Sequence, residues 1–290
     1  MLWRGGRRSD NVEDRRGFGG GGFGGGMRMG GGIGGVGLLV VIVIGLFFGV
    51  DPATLLQQIE GGTDTGYQQG DLNSQNREDE QTDFVKVVLA DTEDTWSAIF
   101  KANGWTYQDP HLVLFSSTVQ SPCGFAQTAM GPFYCPGDSK VYIDLEFYDE
   151  LKRRFNAPGD FAQAYVIAHE VGHHVQHLLG ITDKVDRMAG GMSESDANAM
   201  SVRVELQADC YAGVWAYHAK QRNIVEPGDP EEAINAAAAV GDDRLQRESQ
   251  GYVVPDSFTH GTSAQRVHWF QAGFAEGDIN ACDTFSAKAL

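Results

Sequence analysis

Residues 169–173 read His-Glu-Val-Gly-His, inside an apolar stretch from Phe161 to Leu179 that has the length and periodicity of one helix. A helix turns about 100° per residue, so His169 and His173 project from nearly the same face, one turn apart. Two imidazoles so placed can chelate one Zn²⁺, and Glu170 beside them can take a proton from a water that the ion activates. Eight His in the chain make such a spacing possible by chance. A catalytic zinc therefore has to show a third protein ligand, with one position left open.

Residues 193–221 form a second helical stretch, opening on Ser193 with Asp196 three positions on, a capping pattern. It contains Glu205-Leu-Gln-Ala-Asp209, again an i,i+4 pair on one face. Glu205 would complete a two-His, one-Glu set, and Asp209 is placed to accept the second N–H of a ligating imidazole. Gly172, Ala208 and Ala212 keep the facing surfaces slim, so the helices can approach closely enough to share an ion. The bland alternative for Glu205 and Asp209 is a pair of solvated acids. The longer pattern with a third His at 179 is excluded, because the chain has Leu179 there. His177 would stretch three ligands along one straight helix, so it ranks below Glu205. His174 is turned about 100° away and is expected among Ile167, Val171 and Leu178.

The run Gly159-Asp-Phe-Ala-Gln-Ala-Tyr-Val-Ile-Ala-His-Glu-Val-Gly-His-His-Val-Gln176, with Val204-Glu-Leu-Gln-Ala-Asp-Cys-Tyr-Ala-Gly-Val-Trp215, resembles the bacterial neutral zinc metallopeptidases. Gly131-Pro-Phe-Tyr-Cys-Pro136 and Phe258-Thr-His-Gly-Thr-Ser-Ala-Gln-Arg266 carry the resemblance further, and it covers nearly the whole chain. It implies a membrane-anchored, zincin-like peptidase that holds one zinc ion with two His and a Glu. It supports the site better than it supports any substrate.

Elsewhere the chain sets location and organisation. Residues 4–28 carry Arg4, Arg7, Arg8, Arg15, Arg16 and Arg28 amid repeated Gly, against Asp10, Glu13 and Asp14, in a chain whose net charge is −17. Such a low-complexity segment is not expected to bury a core. Ile33 to Val50 is an uncharged, mostly aliphatic run ending at Asp51-Pro52, at the short end for crossing about 30 Å of hydrocarbon. Arg on one side predicts a cytoplasmic N-terminus and export of everything after Asp51, across a bacterial inner membrane. No Ala-x-Ala follows the run, which favours a retained anchor over a cleaved signal. The organisation expected is a cytoplasmic tail over 1–32, a transmembrane anchor in contact with lipid over 33–50, a flexible linker over 51–82 and one metallopeptidase domain over 83–290. The Arg-rich tail has no aromatic platform, so no nucleic-acid partner is indicated. The oligomeric state is left open.

Four Cys in an exported chain are read as two disulfides, Cys123 with Cys135 and Cys210 with Cys282, the second pair having free buried thiols as its alternative. The fold class expected is α+β, mostly helical with a small sheet. Helices are predicted over Asp83–Ala102, Tyr148–Phe155, the two metal stretches, Ala233–Glu248 and Ala264–Ala275, with strands at Leu112–Phe115 and Lys140–Asp144. Val141 to Asp144 is taken as an edge strand that could pair with an extended peptide.

The chemistry expected is hydrolysis of a peptide or protein substrate, with Glu170 as base. His260 is the candidate hydrogen-bond donor to the developing oxyanion and Arg266 the second choice. The alternative is an inactive or assembly-type envelope protein that keeps the metal as a structural staple. An intact Glu170, and three rather than four protein ligands, favour the enzyme.

Overall fold

A computed structural model describes residues 1–16, 72–288 and 290. In chain order its elements are β1 (Val12–Asp14), α1 (Leu72–Ala102), β2 (His111–Phe115), β3 (Thr118–Ser121), β4 (Gly124–Gln127), β5 (Phe133–Cys135), β6 (Lys140–Asp144), α2 (Glu146–Arg153), α3 (Asp160–Leu178), α4 (Ile181–Ala189), α5 (Glu194–Gln221), α6 (Asp229–Ala239), α7 (Asp242–Gln250) and α8 (Ser263–Glu276). The α+β class, mostly helical with a small sheet, is what the sequence predicts.

The His-Glu-Val-Gly-His helix, α3, is the centre of the packing. Phe161, Tyr165, Ile167, Ala168, Val171 and Val175 are buried on several of its faces, as expected of a helix surrounded by other elements. It packs on α5, α6, α1 and the sheet. The Phe161 N–H donates to the Glu232 carboxylate at its start (3.0 Å). Gly180 in the left-handed region (φ 70°) ends it, the usual role of glycine just past a helix. Helix α5 begins as its sequence indicates, with Ser193 Oγ accepting from the Asp196 N–H (3.2 Å). A Cβ on Gly172 would meet the Ala208 carbonyl at 3.0 Å. The α3–α5 crossing is therefore close because both helices are slim there.

The sheet runs β1-β2-β6-β5, with β1, β2 and β6 parallel and β5 antiparallel to β6. Leu112 and Leu114 face the helical core, whereas Val113 and Phe115 face a second cluster with Val119, Ala126 and Tyr142. Burial on both faces explains the unbroken apolar run in β2. Strand β6 is interior, flanked by β2 and β5, so the expectation that Val141 to Asp144 forms an edge is corrected. Among the described residues the edges are β1 and β5. The β3–β4 hairpin, which the sequence pattern did not reveal, is tied to β5 by the Cys123–Cys135 disulfide. Cys210–Cys282 ties α5 to the C-terminal segment.

Other boundaries also move. Ala233–Glu248 is two helices, not one. Gly241 between them is extended, and a Cβ there would lie 2.3 Å from the Ser263 N at the start of α8. The closeness of α8 forces the break. Residues 72–82, expected in the linker, are already helical in α1.

The expectation of a separate tail over 1–32 fails for residues 1–16. Trp3 is buried edge-on against Phe84, with ring centroids 5.5 Å apart. Arg7 donates to the Ala90 carbonyl (2.7 Å) and to Glu93 (2.8 Å). Asn11 also donates to Glu93 (2.9 Å), and β1 pairs with β2 in the register Val12↔Leu112. Arg4, Arg7 and Arg8 pair with Glu80, Glu93 and Asp83 of α1, and Trp3 supplies an apolar anchor that the composition obscured. The predicted anchor over 33–50 lies outside the described residues, and among the described residues no helix is long and apolar enough to cross a membrane.

Candidate metal centre

Helices α3 and α5 bring His169, His173 and Glu205 together. His169 Nε2 lies 3.2 Å from Glu205 Oε2, and His173 Nε2 lies 3.4 Å from Glu205 Oε1. The ligand atoms of all three fall within 4.8 Å of one another. A tetrahedral ion with bonds of about 2.0–2.1 Å separates its ligand atoms by roughly 3.3 Å. The two nitrogen–oxygen spacings are close to that value, and nitrogen and carboxylate oxygen are the donors zinc takes. Among the described residues no fourth His, Cys, Asp or Glu joins the trio.

Both rings are oriented through their other nitrogen. His169 Nδ1 lies 2.9 Å from Asp209 Oδ1, as the Glu-Leu-Gln-Ala-Asp spacing indicated. His173 Nδ1 lies 2.9 Å from the Gln176 side-chain oxygen. Gln176 is fixed in turn by donating to the Val204 carbonyl (2.7 Å) and to Gln207 Oε1 (3.0 Å) on α5. An N–H on each Nδ1 leaves each Nε2 lone pair for a cation. Gln176 was missed from sequence because only acids were considered as acceptors. Its position one turn beyond His173 was the available signal.

Asp209 is the hub of this arrangement. It is fully buried and accepts from Tyr165 Oη (2.5 Å) and from Arg266 Nε and Nη2 (2.8 and 2.9 Å). Arg266, the second choice for the oxyanion role, is held by this carboxylate. Its guanidinium is 4% exposed and committed to Asp209, where it balances the buried charge. His174 and His177 stay outside the trio. His174 bonds the Gln108 carbonyl (2.6 Å) and the Tyr134 hydroxyl (3.0 Å), and burial pushes it down to about 4. His177 stands against the Tyr134 ring.

The electrostatics describe a nest prepared for positive charge. Burial favours neutral His169, but the Asp209 charge and the ring's hydrogen bonds to Asp209 and Glu205 overcome it and raise the imidazole to about 10. His173 is raised against burial by Glu205. Burial opposes ionisation of Glu205, yet His173, His260 and His169 hold it well below the carboxylate range. Asp209, likewise against burial, is held at about 2 by Arg266 and His169. A divalent cation held by His169, His173 and Glu205 would take the place of the protons these groups gather.

The trio opens into a cleft of about 650 Å³ that Glu170 and His260 also line. Its lining is otherwise largely apolar, including Phe125, Met130, Phe133, Phe147, Phe155 and Leu245. Glu170 is 7% exposed, beside the ligands and turned to the cleft. His260 is half exposed, on the loop between α7 and α8, and its charge is felt at Glu205. Cys123 of the Cys123–Cys135 bridge is among the lining residues.

Comparison with known proteins agrees with this chemistry. The family model described as "Putative neutral zinc metallopeptidase" matches residues 1–285. YpfJ of Escherichia coli (strain K12) is 53% identical over 287 residues, covering 98% of this chain and 99% of that protein. An uncharacterized protein of Mycobacterium bovis is 43% identical over 257 residues, covering 84% of this chain and 86% of its own. No solved structure matches. The match includes residues 1–16 as well as both metal helices, and the chain belongs to this neutral zinc metallopeptidase family.

Proposed function

We propose that the protein is a zinc-dependent endopeptidase that hydrolyses peptide bonds outside the cytoplasm. The observation that carries this reading is the convergence of two imidazole Nε2 atoms and one carboxylate at tetrahedral spacing, with Glu170 in the same open cleft. In this reading the α+β domain is zincin-like, and His169, His173 and Glu205 hold one zinc ion. When bound there, zinc supplies Lewis acidity and lowers the pKa of a water to near 7.

The chain's own groups do the rest. Glu170 accepts the proton of the attacking water and delivers it to the leaving amine. His260 donates to the carbonyl oxygen as it turns negative. Asp209 and Gln176 hold the two rings in the tautomer the site needs. Strand β5, rather than β6, offers an edge at the cleft, and Phe133 and Tyr134 on it line the cavity. An extended substrate backbone pairing there would lie beside the ligands.

The two disulfides support an oxidising compartment, and membrane association would be through 33–50. A closed structural metal, the alternative, would call for a fourth protein ligand. A fluorogenic peptide library, assayed with and without chelator, tests the proposal. Zinc-dependent cleavage that Glu170→Gln removes by about 10²–10⁴-fold is the expected result. Full zinc occupancy without cleavage of any member would contradict it.

A further inference from the structure

Asp242, the first residue of α7, is fully buried, and nothing in the metal nest explains it. One carboxylate oxygen, Oδ2, accepts three successive backbone N–H groups, from Thr259 (2.8 Å), His260 (2.6 Å) and Gly261 (3.0 Å). The Asp242 N–H returns a bond to the Gly261 carbonyl (2.9 Å). Loop 259–261 is thus wrapped around a single carboxylate. The other oxygen, Oδ1, is buried without a hydrogen-bond partner. A buried carboxylate oxygen left so costs free energy unless something completes it. The group facing it is His260 Nδ1, at 3.4 Å, which also lies 2.9 Å from Thr259 Oγ1. Both Asp242 and His260 line the cleft that the trio opens into.

We infer that Asp242 is a positioning residue for His260. Its Oδ2 fixes the loop, and its Oδ1 accepts the His260 Nδ1–H, which directs Nε2–H at the substrate carbonyl oxygen. The change required is small: Nδ1 closes on Oδ1 by about 0.5 Å to reach hydrogen-bonding distance. This rests on the peptidase reading above, since a carbonyl oxygen in the cleft gives His260 its task. A carboxylate that only capped the loop would have no reason to aim its second oxygen at a ring in the cleft.

A double-mutant cycle on the full-length zinc protein tests this. Asp242→Asn keeps an acceptor for the three backbone N–H groups and removes the second carboxylate oxygen. His260→Ala is expected to lower kcat by roughly 10²-fold. Asp242→Asn should lower it about tenfold with KM and zinc content unchanged, and should add nothing in the His260→Ala background. Wild-type kcat in Asp242→Asn, or the same tenfold loss with and without His260, overturns the inference. So does a loss in KM alone. Should Asp242→Asn fail to fold, a structure of the wild-type protein with a phosphinic peptide decides. Nδ1 within about 3.0 Å of Oδ1, with Nε2 on the phosphinyl oxygen, supports the role; Nδ1 still held by Thr259 alone overturns it. Wild-type protein that binds zinc yet cleaves nothing fails the peptidase reading and this inference together, whereas active, unaltered Asp242→Asn fails this one only.

Discussion

Replacing Asp209 by Ala separates what the buried hub does for the fold from what it does for the metal. The carboxylate accepts from Tyr165, from His169 Nδ1 at 2.9 Å and from Arg266 at 2.8 and 2.9 Å. Its loss strands an arginine that is 4% exposed. Breaking a buried pair from one side costs about 3–5 kcal/mol, a large share of the ~5–15 kcal/mol that holds a domain folded. His169 also loses its orienting acceptor, and such losses weaken metal binding by about 10–100-fold. At fixed zinc that removes about 1.4–2.7 kcal/mol of ligand-linked stability. Denaturant unfolding of the disulfide-intact protein, with zinc and with chelator, reads the two effects apart. The chelated variant should lose the first amount, and the gap between zinc and chelator should shrink by the second. Adding Arg266→Met should recover part of the first loss and none of the second, because it removes the stranded charge without restoring the acceptor. Asp209→Ala with unfolding free energy within ~1 kcal/mol of wild type and zinc affinity within about twofold would refute the reasoning.

Further outcomes follow from the same geometry. Zinc has to displace protons from His169, raised to about 10, and from His173, also raised. Apparent zinc affinity should therefore climb between about pH 5 and 9, by up to tenfold per unit for each proton displaced. Chelator competition yielding a flat profile would contradict the proton nest. In chelated protein the Asp209 contribution, from a carboxyl held at about 2, is present above about pH 4 and lost as pH falls through about 2. The His169 contribution has the opposite sign, present below about pH 6.5 and lost as pH rises through about 10. Urea midpoints across pH should accordingly be highest between those limits, and a maximum at pH 9 would show the signs to be wrong. Trp3→Ala should destabilise the domain by about 3 kcal/mol, because Trp3 is buried against Phe84. An unchanged unfolding curve would contradict the packing of residues 1–16 against α1.

Where local chemistry decided the outcome, the sequence was readable. The spacing of His169 and His173, the Ser193 cap and the slim faces at Gly172 and Ala208 each carry their own geometry, and the two metal helices fall within about a residue of expectation. Both cysteine pairings also follow the order of the chain. What stayed hidden depends on partners distant in sequence. Residues 1–16 look unfit for a core until Trp3 meets Phe84 and Arg7 meets Glu93. The break at Gly241 is imposed by Ser263. Whether β6 is an edge depends on β5 returning antiparallel beside it. The chemistry of Arg266 suits an anion of either kind, and only the fold shows that Asp209 claims it.

The most direct test of the metal centre is zinc K-edge anomalous diffraction from crystals of the full-length protein. One ion per chain is expected, bonded at about 2.0–2.2 Å to Nε2 of His169 and His173 and to the Glu205 carboxylate, with its remaining position facing the cleft. An ion that omits Glu205, or that a fourth side chain of the protein encloses, would contradict the account.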